Sequence, residues 1–199
     1  MDMQNMIKVL VIDNNNVDLQ IFENIFKNNN LFEYTGIRVS GIEDASKKNI
    51  TREEHKNNLI KTINKNDFDI LIMDIFFRNN EEYYDDNDFP NLLSKEVIED
   101  YISKNGNNLQ KMILFSSSHN KCDNEYKYRK LKDNDVFFKD YEFIRKPIEN
   151  VNRRYNNCIY SYYNEFKCGD TFKNKCTEKD CYLKVLKFLY DKHTSKREK

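Results

Sequence analysis

The sequence predicts a doubly wound α/β domain, in which helices cover both faces of a parallel sheet. Short runs of apolar, largely β-branched residues alternate along the chain with segments whose apolar residues recur at helical spacing. The apolar runs do not alternate with polar residues, which is typical of strands buried on both faces of a parallel sheet. With 199 residues, 14 Phe and 13 Tyr, the chain can build one such core.

Five apolar runs are predicted as strands. They are residues 7–12, 36–42, 69–73, 111–115 and 142–145. The run at 36–42 is the weakest, because two glycines and a serine interrupt it. Right-handed crossover connections would join the runs into one five-stranded parallel sheet.

The segments between these runs carry the helical pattern. The first of them has an apolar stripe at Val17, Ile21, Phe22, Ile25 and Phe26. Thr51 followed three residues later by Glu54 forms a capping box, which predicts a helix through about residue 65. A third helix is predicted just before Gly106, and a Tyr-rich helix over about 149–166.

A change of composition near residue 167 divides the chain into a domain at 5–166 and a helical C-terminal extension at 167–199. Within the extension, residues 179–193 have an apolar stripe at Tyr182, Val185, Leu186 and Leu189. A single helix of this length is marginal in water, so the stripe must be packed against something. We expect it to dock on the chain's own domain or, alternatively, to form a homodimer contact.

Composition excludes several classes of function. Lys plus Arg and Asp plus Glu both number 33, and this balance does not favour nucleic acid as a partner. No apolar run approaches the roughly 20 residues of a membrane span, and the N-terminal residues lack the features of a signal peptide. A cytoplasmic protein without a membrane partner is expected. The spacing of the four glycines excludes the dinucleotide-binding and P-loop fingerprints.

Chemically reactive residues end four of the predicted strands: Asp13, Asp74, Ser116 and Lys146. Ligands of open α/β sheets bind at the carboxyl ends of the strands, so these side chains should share one edge of the sheet. A carboxylate nucleophile, a metal-binding carboxylate, a hydroxyl and an ammonium suit phosphoryl transfer to an aspartate. Asp74, in the middle of the sheet, is the predicted nucleophile, and Asp13 would hold the metal.

These segments resemble the receiver domain of bacterial two-component response regulators, over roughly residues 5–166. The similar segments are VLVIDNNNVDLQIFENIF, DILIMD, MILFSS and FIRKP. The resemblance implies a flavodoxin-like fold of receiver type. It makes Asp74 the phospho-acceptor, Ser116 and Lys146 its partners in the reaction, and Phe143 the aromatic switch residue.

The resemblance also implies a Mg²⁺ ion, held by Asp13, Asn14 and Asp74. The family has two carboxylates where this chain has Asp13 and Asn14, and an amide oxygen binds a hard cation without charge. A weakened Mg²⁺ site is therefore expected, unless another acid such as Asp18 or Glu81 takes the role of the second carboxylate.

Three functions remain open at this point. The first is a signalling phospho-acceptor that is not an enzyme; a histidine kinase or phosphotransfer protein would phosphorylate it, and a downstream protein would read the face formed by residues 123–145. The second is a degenerate pseudo-receiver that binds proteins independently of phosphorylation, because of Asn14. The third is an unrelated enzyme on the same fold, since a fold does not fix a function.

Overall fold

The computed structural model describes residues 6–27, 29–77, 92–106, 111–117, 137, 141–145 and 178–197. The strands are β1 (Ile7–Asp13), β2 (Phe32–Arg38), β3 (Ile70–Asp74), β4 (Met112–Ser117) and β5 (Glu142–Arg145). The helices are α1 (Asn16–Phe26), α2 (Ile42–Lys47), α3 (Arg52–Lys65), α4 (Leu93–Asn105) and α5 (Glu178–Arg197).

The strands form one sheet in the order β2-β1-β3-β4-β5, and every neighbouring pair is parallel. The predicted α/β class with a parallel sheet is confirmed, and the order is compatible with a flavodoxin-like fold. All five residues of β3 are buried, as expected of a strand covered on both faces.

Two hydrophobic cores lie on opposite faces of the sheet. The first contains Leu10, Ile12, Leu71, Met73 and Phe115, together with buried residues of α3 and α4. The second contains Val9, Val11, Ile70, Ile72 and Leu114, together with buried residues of α1 and α5. Successive residues of each central strand therefore belong to the two cores in turn. This shows on which face of the sheet each strand residue lies.

The C-terminal helix α5 belongs to the second core. Its residues Val185, Leu186, Phe188 and Leu189 are buried there beside α1. Three residues of the predicted stripe, Val185, Leu186 and Leu189, thus pack on the chain's own sheet as expected, whereas the side chain of Tyr182 lies outside the described residues; the helix is longer than expected. The predicted helix at 149–166 and the boundary at 166/167 lie outside the described residues.

The capping box at the start of α3 is present as predicted, with both of its hydrogen bonds. The second strand lies earlier than predicted, at Phe32–Arg38 rather than 36–42. This strand lies at the edge of the sheet that the described residues form, where it pairs with β1. Of its seven residues Phe32 alone is buried, so it shows no continuous apolar run. Val39 and Ile42, which had suggested a strand, instead pack against the first core.

The first helix packs on the sheet with the predicted stripe except at its first position: Phe22, Ile25 and Phe26 are buried as predicted, and Ile21 packs against the second core. Val17 is 39% exposed, whereas Asp18 is 4% exposed and buried together with Phe22, Ile25 and Phe26. The helix begins at Asn16, and the Asn15 side chain caps it by accepting a hydrogen bond from the backbone N–H of Val17. Asp18 and Phe22 are one turn apart, so a carboxylate extends the apolar stripe at its N-terminal end.

His55, on the buried side of α3, predicts a pH dependence of stability. Burial lowers the pKa of its imidazole, although a hydrogen bond with the Ser40 backbone opposes the shift. The unfolded chain then binds more protons, so stability should fall as the pH drops below about 6.5, the ordinary pKa of histidine. Between about pH 7.5 and about pH 5.5, thermal melts should show a smaller loss of Tm for His55→Gln than for the wild type. Equal losses in the two proteins would refute this role of His55.

Candidate phosphoryl-acceptor site

Asp13 is the last residue of β1, and its side chain is fully buried. One carboxylate oxygen, Oδ1, accepts a hydrogen bond of 2.9 Å from the backbone N–H of Asn15. The Asp13 carbonyl accepts another of 2.9 Å from the N–H of Val39, just beyond β2. The short loop of Asn14 and Asn15 thus turns back over Asp13, which fixes the carboxylate at the carboxyl end of the strand.

Asp74 is the last residue of β3 and is 2% exposed. Its Oδ2 accepts a hydrogen bond from the backbone N–H of Phe77. Phe77 has a φ of 52°, a left-handed conformation that is rare for a bulky residue. The chain after β3 therefore folds back so that a backbone amide points at the carboxylate.

Hydrogen bonds from neighbouring elements hold this turn. The buried hydroxyl of Ser94, in the first turn of α4, donates a bond of 2.6 Å to the carbonyl of Ile75. The N–H of Ile75 donates one of 2.9 Å to the carbonyl of Ser116, and the carbonyl of Phe77 accepts one of 2.8 Å from Ile42. Contacts from three elements thus determine the backbone that orients Asp74.

Ser116 lies beside Asp74, because the two are register partners on β3 and β4. The serine is 1% exposed. Within the part of the chain that the structure describes, its Oγ has no hydrogen-bond partner. A buried hydroxyl is normally paired, so the Ser116 Oγ could still donate a hydrogen bond to a ligand at this edge of the sheet.

Asp13, Asp74 and Ser116 form a row on one face of the sheet. Ile12 of β1 pairs with Met73 of β3. The next residue of each strand is an aspartate, so Asp13 and Asp74 lie at the same level of the sheet. All three residues fall two positions after members of the second core: Val11, Ile72 and Leu114. Adjacent strands are about 4.8 Å apart, so the row brings two carboxylates and a hydroxyl together at the carboxyl edge.

Two further polar residues adjoin this row. Asp18 begins the buried stripe of α1, on the same face of the sheet. Arg38, the register partner of Asp13 at the end of β2, donates a hydrogen bond of 3.3 Å from Nε to the backbone carbonyl of Asn14. The sequence patterns did not single out Arg38; the signal available was a cation at the end of a strand next to β1.

Asn14 is buried, at 7% exposure, next to Asp13. The hydroxyl of Tyr34 senses the negative charge of this region. Burial raises its pKa, and the carboxylates of Glu23 and Asp13 raise this pKa further. The loop after β1 thus offers one carboxylate and one amide, as the sequence predicts.

The two remaining predicted site residues are less well defined. Lys146 lies outside the described residues. Phe143 is in β5, where its backbone pairs with Phe115, one position before Ser116. Their roles stay predictions.

The described side chains at this edge include oxygen ligands of the kind that Mg²⁺ binds. The described Asp, Glu, His and Cys side chains include no group of three that could hold a metal ion together. Mg²⁺ is usually bound through one or two carboxylates and keeps several waters. Asp13 and Asp74 could supply the carboxylates and Asn14 a neutral oxygen.

A scan against protein-family models gave no match, and searches of curated proteins and of solved structures gave none either. Among the described helices, none has the length and apolar character needed to cross a bilayer.

Proposed function

We propose that this chain is a receiver-type phospho-acceptor module of two-component signalling, in which Asp74 accepts a phosphoryl group. The observation that carries the proposal is the buried pair of Asp74 and Ser116, register partners on adjacent strands at the carboxyl edge of a parallel sheet. The strand order supports a five-stranded, doubly wound receiver fold, since this order is the flavodoxin-like one.

The step would be a displacement at phosphorus. A carboxylate oxygen of Asp74 forms the new P–O bond while the bond from phosphorus to the leaving group breaks with its electron pair. The Phe77 amide holds the carboxylate in one orientation, and the Ser116 hydroxyl can donate to a phosphoryl oxygen. A bound Mg²⁺ would neutralise the charge that develops on the phosphoryl oxygens. Lys146 would add a fixed positive charge.

A histidine kinase or phosphotransfer protein would be the natural phosphoryl donor, in the cytoplasm. The modified Asp74 would recruit the Ser116 hydroxyl, and Phe143 would carry the change to the face formed by residues 123–145, where a downstream protein binds. The protein would act as a switch and not as an enzyme.

A pseudo-receiver is the second candidate. It is favoured by one observation, the buried amide of Asn14 where the family has a carboxylate. Such a protein would bind its partner without phosphorylation.

Phosphorylation by a small-molecule donor separates the two candidates. Incubation with acetyl phosphate and Mg²⁺ should add one phosphoryl mass to the intact protein, and alkaline pH should remove it. Asp74→Asn should abolish the adduct, because an amide is not a nucleophile for this step. Asp100→Asn, at a partly exposed position on α4, is the matched control and should be labelled like the wild type.

An adduct that persists in Asp74→Asn would contradict the assignment of the acceptor. A folded wild type that takes up no phosphoryl group would favour the pseudo-receiver.

A further inference from the structure

The segment between β2 and α2, residues 39–42, is hydrogen-bonded at both of its ends to residues of the candidate site. The N–H of Val39 donates a bond of 2.9 Å to the carbonyl of Asp13. The N–H of Ile42, the first residue of α2, donates one of 2.8 Å to the carbonyl of Phe77. The conformation of this β2–α2 segment therefore depends on the backbone that surrounds the two aspartates.

Phe77 joins the β2–α2 segment to Asp74. Its N–H donates to Oδ2 of Asp74 and its carbonyl accepts from Ile42, so one residue contacts both the nucleophile and the start of a helix. Its φ of 52° lies in the left-handed region, where a bulky side chain is strained. Such a conformation persists only while surrounding contacts impose it. Its ring is fully buried in the first core, against which Ile42 also packs.

The hydrogen bond between Phe77 and Asp74 is the contact that phosphorylation would change. A hydrogen bond to a carboxylate is charge-assisted and roughly twice as strong as one to a neutral acceptor. Whichever oxygen of Asp74 bonds phosphorus, the carboxylate becomes a neutral acyl group and the negative charge moves outward to the phosphoryl oxygens. The left-handed backbone of Phe77 then loses part of what maintains it.

We propose that loss of the charge on the Asp74 carboxylate, as on phosphorylation, releases the start of α2 through Phe77. The inference rests on the proposed function and adds a second response to it. As Phe77 leaves the left-handed conformation, its carbonyl turns away from Ile42. Helix α2 has six residues, so loss of this bond affects a large part of it. The strand β5, which carries Phe143, lies at the opposite edge of the sheet from β2.

Two other contacts of the β2–α2 segment do not depend on the charge of the nucleophile. One is the bond from Val39 to the Asp13 carbonyl, and the other joins the backbone of Ser40 to His55 of α3. The release should therefore be confined to Ile42 and the residues of α2 that follow it. This local effect distinguishes the proposal from a general loss of stability.

Amide hydrogen exchange followed by NMR tests the coupling without a phosphoryl donor. Asp74→Asn removes the charge of the acceptor, and we expect the amides of Ile42 and Ala45 to exchange roughly tenfold faster, the factor that separates hydrogen bonds to charged and to neutral groups. The amide of Leu189, within α5, reports global stability and should keep its rate. Asp100→Asn is the matched control and should leave the exchange of Ile42 unchanged.

Substitution of Ile42 tests the same link from its other end. Ile42→Pro removes the N–H but suits the first position of a helix, and the preceding Gly41 already has the extended ψ of 167° that a proline favours. We expect the Phe77 amide to exchange faster in Ile42→Pro, because coupling between two contacts is reciprocal. Ile42→Val keeps the N–H and is the matched control, which should not have this effect.

The wild type labelled with acetyl phosphate should show the same faster exchange of Ile42 as Asp74→Asn. Unchanged exchange of Ile42 in Asp74→Asn or in the labelled protein, or of Phe77 in Ile42→Pro, would overturn the proposal. Equal acceleration of Ile42 and Leu189 would overturn it too, since it would mean a general loss of stability. Faster exchange of Ile42 in Asp74→Asn, in a protein that acetyl phosphate does not label, would leave the coupling standing and count against the proposed function alone.

Discussion

Replacing Leu189 by Asp is expected to unfold much of the protein at temperatures where the wild type is stable. Leu189 is fully buried in the second core, between the sheet and α1. Even Leu189→Ala should cost about 2–5 kcal/mol through the cavity it leaves. A charge at the same place adds the cost of burying an unpaired carboxylate, against a total stability of about 5–15 kcal/mol for a domain.

Urea denaturation followed by circular dichroism would measure this loss. The matched control is Lys187→Ala on the exposed side of the same helix, where the ammonium forms a surface ion pair of 2.9 Å with Asp191. Exposed pairs of this kind contribute little, so the control should unfold close to the wild type. A wild-type midpoint for Leu189→Asp would mean that α5 does not belong to the core.

Replacing Ser94 by Val is expected to slow phosphorylation of Asp74, although Ser94 does not contact the carboxylate. Its hydroxyl donates to the carbonyl of Ile75, within the turn that presents the Phe77 amide to Asp74. Valine replaces the hydroxyl by two methyl groups, so it leaves that carbonyl without its donor, which costs about 1–3 kcal/mol, and it also crowds a fully buried site. A small displacement of the nucleophile can reduce the rate about a hundredfold.

The rate of labelling by acetyl phosphate, followed by intact mass, would measure the effect of Ser94→Val on phosphorylation. Ser103→Ala is the control, because that hydroxyl bonds the carbonyl of Asp100 on the exposed side of α4 and lies away from the turn. If Ser94→Val is destabilised but labelled at the wild-type rate, then the turn does not orient the nucleophile.

Much of the fold could be predicted because buried parallel strands are continuous apolar runs. The strands β1, β3 and β4 were predicted to within two residues for this reason, and with them the row of Asp13, Asp74 and Ser116. The edge strand β2 was misplaced because Phe32 is the one buried residue of its seven, so the strand has no apolar run. The apolar Val39, just beyond the strand, packs on the first core instead.

The exact rotation of a helix is harder to predict than its presence. In α1, Val17 and Asp18 are adjacent, and hydrophobicity alone chooses Val17 for the buried side. The structure buries Asp18 instead, because it lies one turn before the buried Phe22 and on the same side of the helix. The left-handed conformation of Phe77 could not be predicted from the sequence either. Such turns usually contain glycine, and here contacts from other elements maintain the conformation.

Mapping the modified residue tests the central claim most directly. The protein would be labelled with acetyl phosphate and Mg²⁺, treated with borohydride, which reduces an acyl phosphate to an alcohol, and digested for peptide mass spectrometry. We expect Asp74 to be converted to homoserine and Asp13, Asp18 and Asp100 to be unchanged. Reduction at any other carboxylate, with Asp74 intact, would contradict it.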